Sequence, residues 1–164
     1  MRGIISMAVM ALLIGAFVPK MFSVEKPATA MAVQVEPPVQ VNNSRSVTLN
    51  ASRGHFFTQA SVDGRRLDFM VDTGASTIAL RESDAARLGI HPSERDYRHS
   101  VSTANGMVRA AYTELNRVEV GGVTVRNVAA LILPDAALGQ NLLGMTFLSK
   151  LRWEQKNGKL VLEQ

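Results

Sequence analysis

A chain of 164 residues holds one domain once its N-terminal stretch is set aside. Hydrophobic residues make up 46% and aromatics 5%, which suits an aliphatic, β-rich core, while the absence of cysteine excludes disulfides and thiolate metal sites. The net charge of +4 reflects a modest excess of arginine; Arg45, Arg53, Arg65, Arg66 and Arg126 are scattered along the sequence with no nucleic-acid motif beside them, so a solvated basic surface is the simpler reading and nucleic acid is not an expected partner.

Gly3 through Val18 is small or apolar apart from Ser6, with Arg2 before it and Pro19-Lys20 after it. Residues 1–20 therefore read as a membrane anchor or a signal segment, the run being slightly long for a signal core and slightly short for a span. Ala28-Thr29-Ala30 has the form of a cleavage site but stands well beyond the run. Residues 21–45 read as an extended linker, with Pro27, Pro37 and Pro38 set among glutamines and asparagines. The alternation of Val33, Val35, Val39 and Val41 also allows an added edge strand. The folded domain is expected over residues 46–164.

His55 to Val62 reads as a strand, Asp63-Gly64 as a tight turn and Arg66 to Val71 as the return strand, with Leu67, Phe69 and Val71 alternating against Arg66, Asp68 and Met70. This strand runs into Asp72-Thr73-Gly74-Ala75-Ser76. A carboxylate at such a turn can accept hydrogen bonds from backbone N–H groups and hydroxyls, and Gly74 permits a conformation and a close approach that a Cβ would obstruct. Asp72 either simply closes a turn, for which Asp, Thr and Gly are all common, or is a carboxylate held at the end of a half-buried strand for chemistry, since burying it without compensation is costly.

Glu82 to Leu88 reads as a short helix, with Ser83 placed to cap its start and Gly89 its end. Tyr97 to Thr103 and Met107 to Leu115 form a hairpin around Asn105-Gly106; Arg117 to Val120 and Val123 to Leu133 form another around Gly121-Gly122. Asn141 to Leu148 is an apolar pair, a glycine and a helix-compatible run. Leu151 to Gln155 and Leu160 to Leu162 close the chain around Lys156-Asn157-Gly158. Many short strands with little helix predict a closed or sandwich-like all-β fold. His55, His91 and His99 lack metal-ligand spacing, so neither a metal nor another cofactor is expected. Trp153 and Phe147 read as core anchors, and Met70, Met107 and Met145 as packing.

The apolar strand ending in Asp72-Thr73-Gly74-Ala75, followed later by Leu142-Leu143-Gly144, resembles the aspartic proteases of the retroviral type. The resemblance runs from about Arg53 to Leu162. Ser76-Thr77-Ile78-Ala79-Leu80, Ala85 to Ile90, Thr103-Ala104-Asn105-Gly106 and Leu142 to Leu148 are similar to the bacterial membrane-anchored branch of that group. It implies an all-β, single-lobe retropepsin-like acid-protease barrel with one or two short helices, preceded by an N-terminal apolar helix. It further implies Asp72 as the catalytic residue, with Thr73, Gly74, Ala75 and Ser76 supporting its turn. Thr103, Ala104, Asn105 and Gly106 would form a flap over substrate, and Leu142, Leu143 and Gly144 would pack beneath the turn.

Two-lobed relatives carry two Asp-Thr/Ser-Gly turns, whereas this chain carries one. A dyad needs two carboxylates close enough to share a proton, so the resemblance implies a homodimer pairing two copies of Asp72. The implied activity is an aspartic endopeptidase that hydrolyses a peptide or protein substrate with an activated water and no acyl-enzyme. The same resemblance favours an uncleaved anchor with the domain on the extracytoplasmic, periplasmic side; export as a soluble protein after signal cleavage is the alternative. A non-catalytic peptide-binding module and a structural envelope protein on the same fold are the rival readings.

Overall fold

The computed structural model describes residues 45–103 and 106–164; the expected anchor and nearly all of the expected linker, with Ala104 and Asn105, lie outside the described residues. The elements run β1 (Ser46–Ser52), β2 (His55–Val62), β3 (Arg65–Val71), β4 (Ile78–Arg81), α1 (Glu82–Arg87), β5 (His99–Thr103), β6 (Gly106–Val120), β7 (Val123–Leu133), β8 (Asn141–Leu143), α2 (Met145–Leu148), β9 (Arg152–Lys156) and β10 (Lys159–Glu163). The described residues are therefore all-β with two short helices, as the many short apolar runs imply. Among them, no helix is long and apolar enough to cross a membrane.

The strands lie in the order β5-β6-β7-β4-β8-β3-β2-β1-β10-β9, and a further pairing of β6 with β2 closes the central six into a barrel. Two pairings are parallel, β3 with β8 and β4 with β7; both involve strands distant in sequence. Hairpins supply much of the rest. Four of their tight turns place two successive residues at positive φ, always with glycine second: Arg53-Gly54, Asp63-Gly64, Gly121-Gly122 and Asn157-Gly158. Such turns carry the twist of their flanking strands, and glycine meets positive φ without steric cost.

Leu67 and Phe69 of β3 are 2% exposed while Arg66 and Asp68 face solvent, so the period-2 pattern sets which face enters the core. That core packs Phe69, Phe147, Ile78, Leu80, Leu115 and Leu143 among others. A second, smaller cluster joins Ala79, Ala110, Leu133 and Leu138.

Several expectations are corrected. The strands expected at Met107 to Leu115 and Arg117 to Val120 are one 15-residue strand, β6, because it pairs continuously with β7 and then also with β2. Strand β1 was not legible as a separate element. Phe147 is fully buried, but Trp153 is 40% exposed on β9, so it is not a core anchor, and Met107 is 66% exposed at the start of β6 rather than packed. Ser83 does not cap α1: the cap position is Arg81, and Ser83 lies inside the helix, where its N–H donates to Asp135 Oδ1 at 3.0 Å. Gly89, at φ +84°, does end that helix, with Gly89 N–H bonded to Ala86 O and Ile90 N–H to Ala85 O.

Candidate active site

Strand β3 delivers Asp72 to the rim of the barrel. Its backbone N–H donates to Leu143 O at 3.2 Å, continuing the parallel ladder in which Met70 faces Leu142 and Val71 faces Leu143. The turn then folds back on the carboxylate. Gly74 N–H donates to Asp72 Oδ1 at 2.8 Å, and Ala75 N–H donates to Asp72 O at 3.3 Å. The first bond orients one carboxylate oxygen. A Cβ on Gly74 would stand 3.2 Å from that same oxygen, and Gly74 φ is not in the left-handed region, so glycine serves here through close approach rather than conformation. Asp72 itself is half-buried, not enclosed.

The segment after β8 supports the turn from behind. Met145 N–H donates to Ala75 O at 2.8 Å. Gly144 is buried against the backbone of Ala75 and Thr77, with no room for a side chain. Thr146 Oγ1 accepts the Ile78 N–H at 3.0 Å and donates to Ala129 O at 2.8 Å, joining α2 to β4 and β7. Asn141 is the one buried polar side chain among the described residues. Its Oδ1 accepts the Arg81 N–H at 2.8 Å, while Nδ2 donates to Asp68 O at 3.0 Å and Asp84 Oδ2 at 2.9 Å. With its hydrogen bonds made, the amide welds β3, β4 and α1 together.

Asp72, Gly74, Ala75, Ser76 and Thr77 line a groove of about 670 Å³ whose facing wall is β5, from Ser100 to Thr103; its remaining lining is mostly aliphatic, including Ala79, Leu131, Leu133, Leu138 and Leu142. Of the residues singled out from the sequence, the structure thus brings Asp72, Gly74, Ala75, Ser76, Thr103 and Leu142 to one groove. Thr73 is exposed beside it. Leu143 and Gly144 lie behind the turn. Gly106 begins β6 opposite Thr103, whose hydroxyl donates to Gly106 O at 2.9 Å.

A polar cluster braces the far end of β4. Arg81 Nη2 meets Asp135 Oδ2 at 3.2 Å. The Ser83 N–H and hydroxyl, then the Arg81 charge, hold the Asp135 carboxyl below the usual range. Tyr97 is pushed up to about 12, first by burial of its hydroxyl and then by nearby Glu82. The hydroxyl lies beside that carboxylate without a hydrogen bond of normal geometry, so desolvation is the firmer cause. Among the described residues, no three His, Cys, Asp or Glu side chains converge as a metal site.

Sequence reasoning did not single out Thr146, Asn141, Thr77 or Ser100 to Ser102 of the β5 wall as parts of this site. Asn141 directly precedes Leu142-Leu143-Gly144, and Thr146 follows it after Met145. A polar residue bracketing an apolar-apolar-Gly run is the signal that would have found both.

The family model described as "gag-polyprotein putative aspartyl protease" matches residues 58–150. An uncharacterized protein in the cobV 5′ region of a Sinorhizobium species is 44% identical over 102 residues, covering 62% of this chain and 44% of that protein. An uncharacterized protein of Rickettsia prowazekii is 38% identical over 102 residues, covering 60% of this chain and 42% of that protein. The chain thus spans less than half the length of these curated relatives. The crystal structure of a retropepsin-like aspartic protease from Rickettsia conorii matches with a TM-score of 0.65 at 35% identity, covering 73% of this chain and 91% of that one.

Proposed function

The chain belongs to the retroviral-type, single-lobe aspartic protease family, and from that membership we propose that it is an aspartic endopeptidase whose active form is a homodimer, each copy supplying one Asp72. The observation that carries this reading is the placement of Asp72: a half-buried carboxylate on a turn clamped by β8 and Gly144, at the floor of a groove walled by β5.

In the proposed reaction the two Asp72 carboxyls share one proton, because two charges so close do not both ionise. The ionised one takes a proton from a bound water as its oxygen attacks the scissile carbonyl carbon, and the protonated one gives its proton to the carbonyl oxygen. The carboxyl that took the water's proton then passes it to the amide nitrogen while the other accepts a proton from a diol hydroxyl, and the C–N bond breaks to release the acid and the amine with one proton again shared by the dyad. The Gly74 N–H holds one oxygen of each carboxylate throughout. The aliphatic lining suits apolar side chains of an extended peptide, and the edge strand β5 offers it backbone partners. The apolar run over Gly3 to Val18 and the proline-containing linker support a tethered enzyme with its domain on the extracytoplasmic side.

The test is a diverse peptide library incubated with the full chain in detergent between acidic and neutral pH. Cleavage is read by mass spectrometry, with Asp72→Asn in parallel and oligomeric state by light scattering. Cuts by the wild type that vanish in a folded Asp72→Asn dimer are expected. Equal cutting by the variant overturns the mechanism, and a folded wild-type dimer that cuts nothing points to the peptide-binding module instead.

A further inference from the structure

The cations that look dispersed in the sequence meet in space. Arg45 at the head of β1, Arg117 in β6, Arg126 in β7 and Lys150 after α2 surround a concavity of about 440 Å³, with no Asp or Glu in its lining. Gln164 fixes one wall: its Oε1 accepts the Thr124 N–H at 3.0 Å, its Nε2 donates to Thr124 O at 2.7 Å, and its backbone N–H donates to Arg45 O at 3.0 Å. Arg117 pairs with Glu119. Among the described residues, Arg45, Arg126 and Lys150 form no ion pair.

We propose that this face docks the domain on an anionic membrane surface, its cations meeting the headgroups of acidic phospholipids. Charge complementarity carries the choice of partner: of the four cations lining this face, Arg117 alone is in an ion pair among the described residues, which leaves an excess of positive charge. Connectivity agrees, since the chain enters this face at Arg45, directly after the linker that follows the apolar run and contains Lys26. The Asp72 groove uses none of these residues. The inference goes beyond the catalytic reading and does not depend on the apolar run being an anchor. Each cation near an acidic bilayer is worth about fivefold in partitioning, and salt weakens the attraction because the Debye length is about 8 Å at physiological ionic strength.

The described residues hold a ten-stranded sheet packed on two apolar clusters of their own, so segment 45–164 carries its own core and can be tested without the N-terminal run. The experiment is co-sedimentation of this segment with vesicles of phosphatidylcholine alone or mixed with phosphatidylglycerol. It compares the wild type with an Arg45→Glu, Arg126→Glu, Lys150→Glu variant and a charge-matched Arg53→Glu, Arg65→Glu, Arg66→Glu control, with circular dichroism verifying each fold. The expected result is binding to the acidic vesicles alone, reduced by about a hundredfold or more in the first variant and much less in the control. Equal binding to neutral vesicles, or equal loss in both variants, overturns the proposal. Should the first variant fail to fold, hydrogen exchange of the wild type on acidic vesicles decides. Protection at residues 117–126 is expected, and its absence there overturns the docking face.

Discussion

A β-carbon on Gly144 would stand 2.1 Å from the carbonyl oxygen of Thr77. The Asp72 turn and the segment behind it therefore meet backbone to backbone, and the Met145 N–H bond to Ala75 O depends on that approach. Gly144→Ala forces the two apart. Real Cβ atoms do not sit at such distances, and neither neighbour is a flexible side chain. The expected cost is about 3 kcal/mol, read as a lowered urea midpoint. Peptide cleavage should fall more than the folded fraction does, because the displaced element is the one holding Asp72.

Thr146 answers two backbone groups with one hydroxyl, accepting from Ile78 and donating to Ala129. Thr146→Val keeps the shape and orphans both, for an expected loss of about 2–3 kcal/mol. Thr146→Ser keeps the hydroxyl and should lie within about 1 kcal/mol of wild type. Equal destabilisation by the two substitutions would show that packing, not the hydroxyl, is what matters.

Asp135 is held below its ordinary value of 3.8 by the Ser83 N–H and hydroxyl and by Arg81. A carboxylate with a depressed folded-state pKa adds stability above its unfolded-state value and loses it as the pH falls through the folded one. Asp135→Asn should therefore lower the urea midpoint at neutral pH, and the gap to wild type should close as the pH drops below 3.8. Because the group is exposed, the gap should also shrink with added salt.

Tyr97 sets the opposite limit. Its phenol ionises near 10 when unfolded and at about 12 in the fold. Between those values the unfolded chain has lost a proton that the native one keeps, so stability declines as the pH rises. Tyr97→Phe should remove that part of the alkaline decline while also relieving a buried hydroxyl that lacks a partner. Urea midpoints followed from neutral to strongly alkaline pH measure both effects.

What the sequence disclosed was the part written locally. Leu67, Phe69 and Val71 state their strand by alternation. Asp63-Gly64, Gly121-Gly122 and Asn157-Gly158 state their turns by composition, and Gly89 its helix end. Arg53-Gly54 makes the same kind of turn with an arginine at positive φ, which composition does not announce. The remainder is non-local. Asp135 caps a helix 52 positions away in sequence, a service that Ser83 seemed placed to perform from nearby. Trp153 looked like core because large aromatics usually are, yet β9 lies at the sheet edge and leaves that residue 40% exposed. Of the arginines read as scattered, Arg45 and Arg126 come to one face, because a hairpin sets Arg126 opposite Arg117 and β10 brings the chain end back to Arg45. For the site itself, Asp72 and Leu142-Leu143-Gly144 were legible as motifs, whereas Asn141 and Thr146 acquire their roles only through partners on other strands.

The parallel pairing of β3 with β8 has a temporal side. Asp72 leaves the ribosome long before Leu143, whose carbonyl receives its N–H. The roughly 70 residues between them take on the order of 4–14 s to synthesise at about 5–20 residues per second. Throughout that interval the nascent chain can close its first hairpins, but β8 is not there to receive the aspartate N–H and Gly144 does not yet exist to seat the turn. The clamp on the carboxylate is thus among the last features assembled, and a chain halted before β8 carries the motif without the geometry.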